Sequence, residues 1–220
     1  MLTPRQLRVA TASVGAILAL VIPSGALAST PTQELRGRVD QVIRILQRSD
    51  LQGDDKTTER RTAVRKVAND IFDFQETAKR SLGRHWQDRT PAEREEFTRL
   101  FADLLEHAYI SKIDRYSGEN VNYVGESVEG DQATIRTKIL TKQGSQVPVD
   151  YRMLRQADHW RVYDVIIEGV SLIANYRTQF NKVIQTSSFD DLVARLRSKE
   201  FSAPEGAPRA ERRSAILPGP

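Results

Sequence analysis

The stretch from His159 to Phe180 reads HWRVYDVIIEGVSLIANYRTQF, and its two halves follow different periods. From Trp160 to Ile167 the β-branched and aromatic residues make both faces of a strand apolar, as in a central strand covered on two sides. Only Arg161 and Asp164 interrupt the run. Glu168-Gly169 then ends the strand and Ser171 stands in the N-cap position. Leu172, Ile173, Tyr176, Phe180, Val183 and Ile184 follow at helical spacing. A buried strand therefore feeds directly into an amphipathic helix. An unpaired carboxylate in such a strand is costly. Asp164 is accordingly read as a member of an ion pair or a set of backbone hydrogen bonds, the alternative being a functional acid.

Upstream of this stretch the apolar residues alternate. Val147, Val149, Tyr151 and Met153 mark one strand, Ala133, Ile135, Thr137 and Ile139 another, and Val121 with Tyr123 opens a third. The turns between them are Glu129-Gly130-Asp131, Gln143-Gly144 and Ala157-Asp158. Four successive strands with short turns predict an antiparallel meander. Pro148 lacks an N–H to donate, so it is expected at an edge or a bulge.

Earlier still, helical spacing predicts helices over Thr32–Arg48, Thr57–Asp70 and Gln75–Leu82, the last ended by Gly83. Thr90-Pro91-Ala92-Glu93 combines an N-cap, a first-turn proline and a capping-box glutamate. It predicts a long helix through Phe97, Leu100, Phe101, Leu104, Leu105 and Tyr109, running to Tyr116 before Ser117-Gly118. Downstream, Ser188 caps a short helix carrying Leu192, Val193 and Leu196. Residues 202–220 have almost nothing to bury and are expected to be disordered.

The N-terminus has a basic start at Arg5 and Arg8, an apolar run from Val9 to Ile22 too short to span a bilayer, and Ala26-Leu27-Ala28 behind it. This is the pattern of a cleaved secretory leader over residues 1–28, with the mature chain starting at Ser29. One domain, residues 29–201, is expected from a chain of 220 residues that is 39% hydrophobic. The formal charge of +4 falls to +2 without the leader, and opposite charges alternate along the helices. That excludes the clustered basic surface of a nucleic-acid binder.

No cysteine is present, so disulfides and thiolate chemistry are excluded. His85, His107 and His159 are far apart in sequence and suggest no metal site. Gly169-Val170-Ser171-Leu172-Ile173 lacks the second glycine of a nucleophile elbow. No catalytic residue, metal or cofactor is expected.

The run Trp160-Arg161-Val162-Tyr163-Asp164-Val165, followed by Glu168-Gly169-Val170-Ser171-Leu172 and Asn175-Tyr176-Arg177-Thr178-Gln179-Phe180, resembles the pattern of the MlaC family, the toluene-tolerance auxiliary proteins. Ile71-Phe72-Asp73-Phe74 and Leu82-Gly83-Arg84-His85-Trp86 support the resemblance, which extends over Leu35 to Leu196. It implies an α+β fold with several N-terminal helices, a four-stranded antiparallel sheet and closing C-terminal helices around a large apolar cavity for lipid tails.

The function implied is that of a periplasmic phospholipid carrier, a monomer working between an inner-membrane ABC transporter with its MCE-domain component and an outer-membrane lipoprotein complex. Such a carrier maintains outer-membrane lipid asymmetry. The apolar faces would supply the lining: Phe97, Phe101, Leu105, Tyr109 and Tyr176 from the helices, and Val121, Tyr123, Ile135, Val147, Val149, Tyr151, Met153, Tyr163 and Val165 from the strands. A lipid-modifying enzyme with a similar pocket, or an adaptor with a packed core, are the other classes compatible with these faces.

Overall fold

The first helix begins where Thr30 and Gln33 cap each other: the Gln33 N–H donates to Thr30 Oγ1 at 3.2 Å and the Thr30 N–H to Gln33 Oε1 at 3.0 Å. In the computed structural model, which describes residues 29–113 and 118–201, this is α1, Pro31–Gln47. Two short 3-10 turns lead to α2, Thr57–Ile71, which packs back against α1. Asp73 caps α3, Phe74–Leu82, by accepting from the Glu76 N–H at 2.9 Å. Gly83 ends α3 with φ of 56°, a conformation that favours glycine, and a Cβ there would stand 3.2 Å from the Arg177 side chain. The Thr90–Glu93 box opens α4, Pro91–Ile113, as its sequence predicts.

The strands β1 (Asn120–Glu129), β2 (Gln132–Leu140), β3 (Gln146–Gln156) and β4 (His159–Ile167) form the expected antiparallel meander. A fifth, β5 (Val170–Ser171), was not expected. Glu168 and Gly169 both take positive φ, 50° and 83°, giving a two-residue hairpin that folds Val170 and Ser171 back on Ile167 and Ile166. The order is β1-β2-β3-β4-β5, so β4 is not central but next to last. Its outer edge is held by β5 and by a parallel bridge from Phe72 to Val162.

Pro148 lies in the interior strand β3. Its carbonyl accepts from the Glu168 N–H at 3.0 Å, just past the last β4 pair, Val149 with Ile167. The N–H that proline lacks would point the same way, so the only bond forgone is one at the very end of the β3–β4 ladder.

Helices α5 (Leu172–Thr186) and α6 (Phe189–Arg197) follow the sheet. Two cores result. One is made by α3 to α6, with Leu82, Trp86, Phe97, Phe101, Phe180 and Leu192 at its centre. The other lies on one sheet face, where Leu35 of α1 and Ile71 of α2 meet Ala133, Ile135, Met153, Trp160 and Val162. The opposite face of β2 and β3 carries the exposed Arg136, Lys138 and Arg152. The expected leader, the tail and the last turn expected for α4 lie outside the described residues. No helix among the described residues is long and apolar enough to cross a membrane.

Candidate functional site

Strand register decides which of the apolar candidates share a surface. Val121 pairs with Ile139 and that with Val147; Tyr123 pairs with Thr137, that with Val149, and Val149 with Ile167. Ile135 pairs with Tyr151 and Tyr151 with Val165, while Ala133 pairs with Met153. Since side chains at paired positions point to the same side of a sheet, Val121, Tyr123, Ile135, Val147, Val149, Tyr151, Met153 and Val165 form one continuous face.

Helix α1 covers the end of that face nearest the β3–β4 turn. Glu34 accepts the Trp160 N–H at 3.0 Å, and the Thr32 N–H donates to Glu126 at 2.9 Å. Toward the other end Val121, Ile139, Val147, Val165 and Ile167 remain half-buried.

Polar tips are set into this apolar surface. The Thr137 hydroxyl donates to the Val149 carbonyl at 2.6 Å. Burial raises the Tyr151 phenol to about 12. Burial also raises Tyr123, with smaller contributions from Tyr151 and Asp40, and its buried hydroxyl has no hydrogen-bond partner among the described residues. A buried unpaired hydroxyl costs about 1–3 kcal/mol, so this one marks a place where an acceptor would be stabilising. Beside it, a solvent-open cleft of about 390 Å³ lies between α1 and β1, lined by Arg36, Asp40, Val121, Asn122 and Tyr123. Sequence reasoning missed Arg36 and Asp40, which read as ordinary charges on a solvated helix face.

The helical candidates divide. Phe97 and Phe101 stack on each other at 5.8 Å, and both meet Phe180 edge-on at 5.6 and 5.2 Å. They are fully buried in an aromatic core shared by α4, α5 and α6. Helical spacing gives an aromatic's direction but not what it meets. Tyr176 stacks on the same core, and its hydroxyl meets that of Tyr109, whose phenol burial raises to about 12. Leu105 is half-buried at the margin.

Tyr163 also departs from expectation. The register skips it between Val162 and Asp164, a bulge that turns it from the shared face, and the Arg80 guanidinium lies 4.0 Å above its ring.

Asp164 is 3% exposed and fully engaged in structure. It accepts from the Ser171 hydroxyl at 2.7 Å, the Ile173 N–H at 3.2 Å and Arg152 at 3.4 Å, while Ser171 Oγ accepts the Ala174 N–H at 3.0 Å. Together they cap α5, where negative charge also suits the helix dipole. His85 Nε2 lies 2.9 Å from Asn181 Oδ1, and His107 and His159 are exposed.

A model of the family described as MlaC protein matches residues 36–198. The chain belongs to the MlaC family. Two curated relatives agree: the intermembrane phospholipid transport system binding protein MlaC of Haemophilus influenzae, 23% identical over 62% of this chain and 66% of that protein, and the toluene tolerance protein ttg2D of Pseudomonas putida, 20% identical over 74% and 77%. The chain thus spans just under two thirds of the Haemophilus relative's length. The phospholipid-binding protein of Ralstonia solanacearum, solved in complex with a phospholipid, superposes with a TM-score of 0.70. It is 25% identical and the match covers 78% of this chain and 97% of that one. The MlaC fold thus accounts for both the helical layers and the meander.

Proposed function

We propose that this protein is a soluble periplasmic phospholipid carrier. The observation that carries the reading is the likeness to the lipid-bound Ralstonia solanacearum protein over nearly all of that chain, taken together with an apolar sheet face only partly covered by α1. The leader over residues 1–28 would deliver the chain across the inner membrane and be removed. Lipid would pass between an inner-membrane ABC transporter with its MCE-domain component and an outer-membrane lipoprotein complex, maintaining outer-membrane asymmetry.

The physical need is large. Two acyl chains hold about 30 methylenes, and at ~0.8 kcal/mol each their exposure to water costs on the order of 20 kcal/mol. A carrier removes that barrier by offering one apolar surface in exchange for another, so no bond need be made or broken. The half-buried margin from Val121 to Ile167 is where acyl chains would lie, and the Tyr123 hydroxyl would find its acceptor in a lipid ester. Solvent extraction of the purified protein tests this. A carrier releases intact phospholipid, an enzyme yields altered lipid, and an adaptor with a packed core yields none.

A further inference from the structure

The cleft between α1 and β1 opens directly from the edge of the apolar face, since Val121 and Tyr123 belong to both. Arg36 lies over the Tyr123 ring at 4.5 Å. Asp40 follows one helical turn later and lines the same cleft as Arg36 and Tyr123. Neither has an ion-pair partner among the described residues, whereas Arg38 on the same helix pairs with Asp70. Arginine preceding aspartate at this spacing is the weaker order for a helical ion pair. The two charges therefore stand side by side, one positive and one negative, with the Asn122 amide beside them, at the margin of a surface suited to acyl chains.

We propose that this cleft is a headgroup subsite for a zwitterionic phospholipid, with Arg36 on the phosphate and Asp40 on the ammonium of a phosphoethanolamine group. The assignment rests on the carrier reading above. Guanidinium suits phosphate because its donors match two oxygens at once. A carboxylate next to it repels an anionic headgroup such as phosphoglycerol and attracts an ammonium, so the pair discriminates by charge pattern rather than by net charge. Held over the Tyr123 ring, Arg36 also loses less freedom on binding than an unsupported arginine would.

The test presents the full chain with vesicles of equal phosphatidylethanolamine and phosphatidylglycerol, re-isolates the protein and measures both lipid classes by mass spectrometry. Wild type is expected to retain phosphatidylethanolamine preferentially. Asp40→Asn should lower the ethanolamine-to-glycerol ratio by about 1.5- to 5-fold, the range an exposed charge contact supports. Asp40→Lys should lower it further, and Arg36→Gln should reduce retention of both classes. Melting temperatures should not move, because both side chains are exposed.

An unchanged ratio in both Asp40 variants, with lipid still bound, overturns the subsite and leaves the carrier reading standing. A wild-type chain that takes up no lipid overturns both. A final arm offers free glycerophosphoethanolamine, which is expected to leave the bound lipid in place. Binding of that soluble group in a manner abolished by Asp40→Asn would assign the cleft to a soluble phosphoester and overturn the lipid assignment.

Discussion

Replacing Asp164 by asparagine preserves the side chain's size and tests whether this carboxylate is structural. In the wild type one oxygen accepts the Ser171 hydroxyl at 2.7 Å and the other the Ile173 N–H at 3.2 Å, with Arg152 at 3.4 Å as a half-exposed third partner. Asparagine offers one acceptor oxygen and places an NH2 group against a donor. Losing the charge weakens the retained bond by about 1 kcal/mol, and the donor left facing NH2 costs about 1–3 kcal/mol. The total of roughly 2–4 kcal/mol is a large share of the 5–15 kcal/mol typical of a domain. For a domain of this size it lowers the melting temperature by about 4–16 °C.

Thermal melting followed by circular dichroism measures this, and Ser171→Ala provides the second side of a double-mutant cycle. Because both residues cap the start of α5, their effects should be less than additive. Lipid extracted from Asp164→Asn below its melting transition should match wild type. An unshifted melt, or a normal melt with the lipid lost, would refute the structural role and favour a functional acid at Asp164.

Three further outcomes follow from the same geometry. Ala157 holds φ at 50° in the two-residue turn joining β3 to β4; Ala157→Gly should raise stability by roughly 0.5–1 kcal/mol in urea titration, whereas a loss would show the turn to be unstrained. Tyr151 is raised by burial from 10.0 to about 12, so its neutral form favours the fold, and roughly 2–3 kcal/mol of stability should vanish as pH rises through that interval. Denaturation curves across the interval check it, and flat stability would place the phenol in water. Val149→Glu puts a charge on the shared sheet face: in a lipid-binding surface the fold survives and lipid is lost, while in a dry core the variant unfolds, since an unpaired buried charge costs several kcal/mol. Circular dichroism alongside lipid extraction separates the two.

Much of this arrangement is legible in the residues themselves. The alternation of Ala133, Ile135 and Thr137 with Thr134 and Arg136 gave β2 and its buried face, because a sheet with one covered side imposes period two. Thr90, Pro91 and Glu93 gave the start of α4, because a helix N-terminus leaves N–H groups that those side chains satisfy or lack. The failures are equally physical. Tyr163 leaves the face of Val165 because a bulge adds one residue and breaks the two-residue count, and only the partner strand reveals it. β5 is not legible in the sequence because two residues carry no period, and a glutamate such as Glu168 rarely takes the positive φ of its hairpin. For Phe97 and Phe101 apolarity fixes burial but not the identity of the neighbour, which is Phe180. Arg36 and Asp40 went unnoticed since a charge on a helix is ordinarily just solvated.

The claim that this chain holds phospholipid is tested most directly by native mass spectrometry of the protein purified from the periplasm without detergent. The account predicts a chain beginning at Ser29 with an added mass equal to one or more intact phospholipids, released unchanged on gentle activation. A chain that flies bare, or carries only free fatty acid or lysolipid, would contradict it.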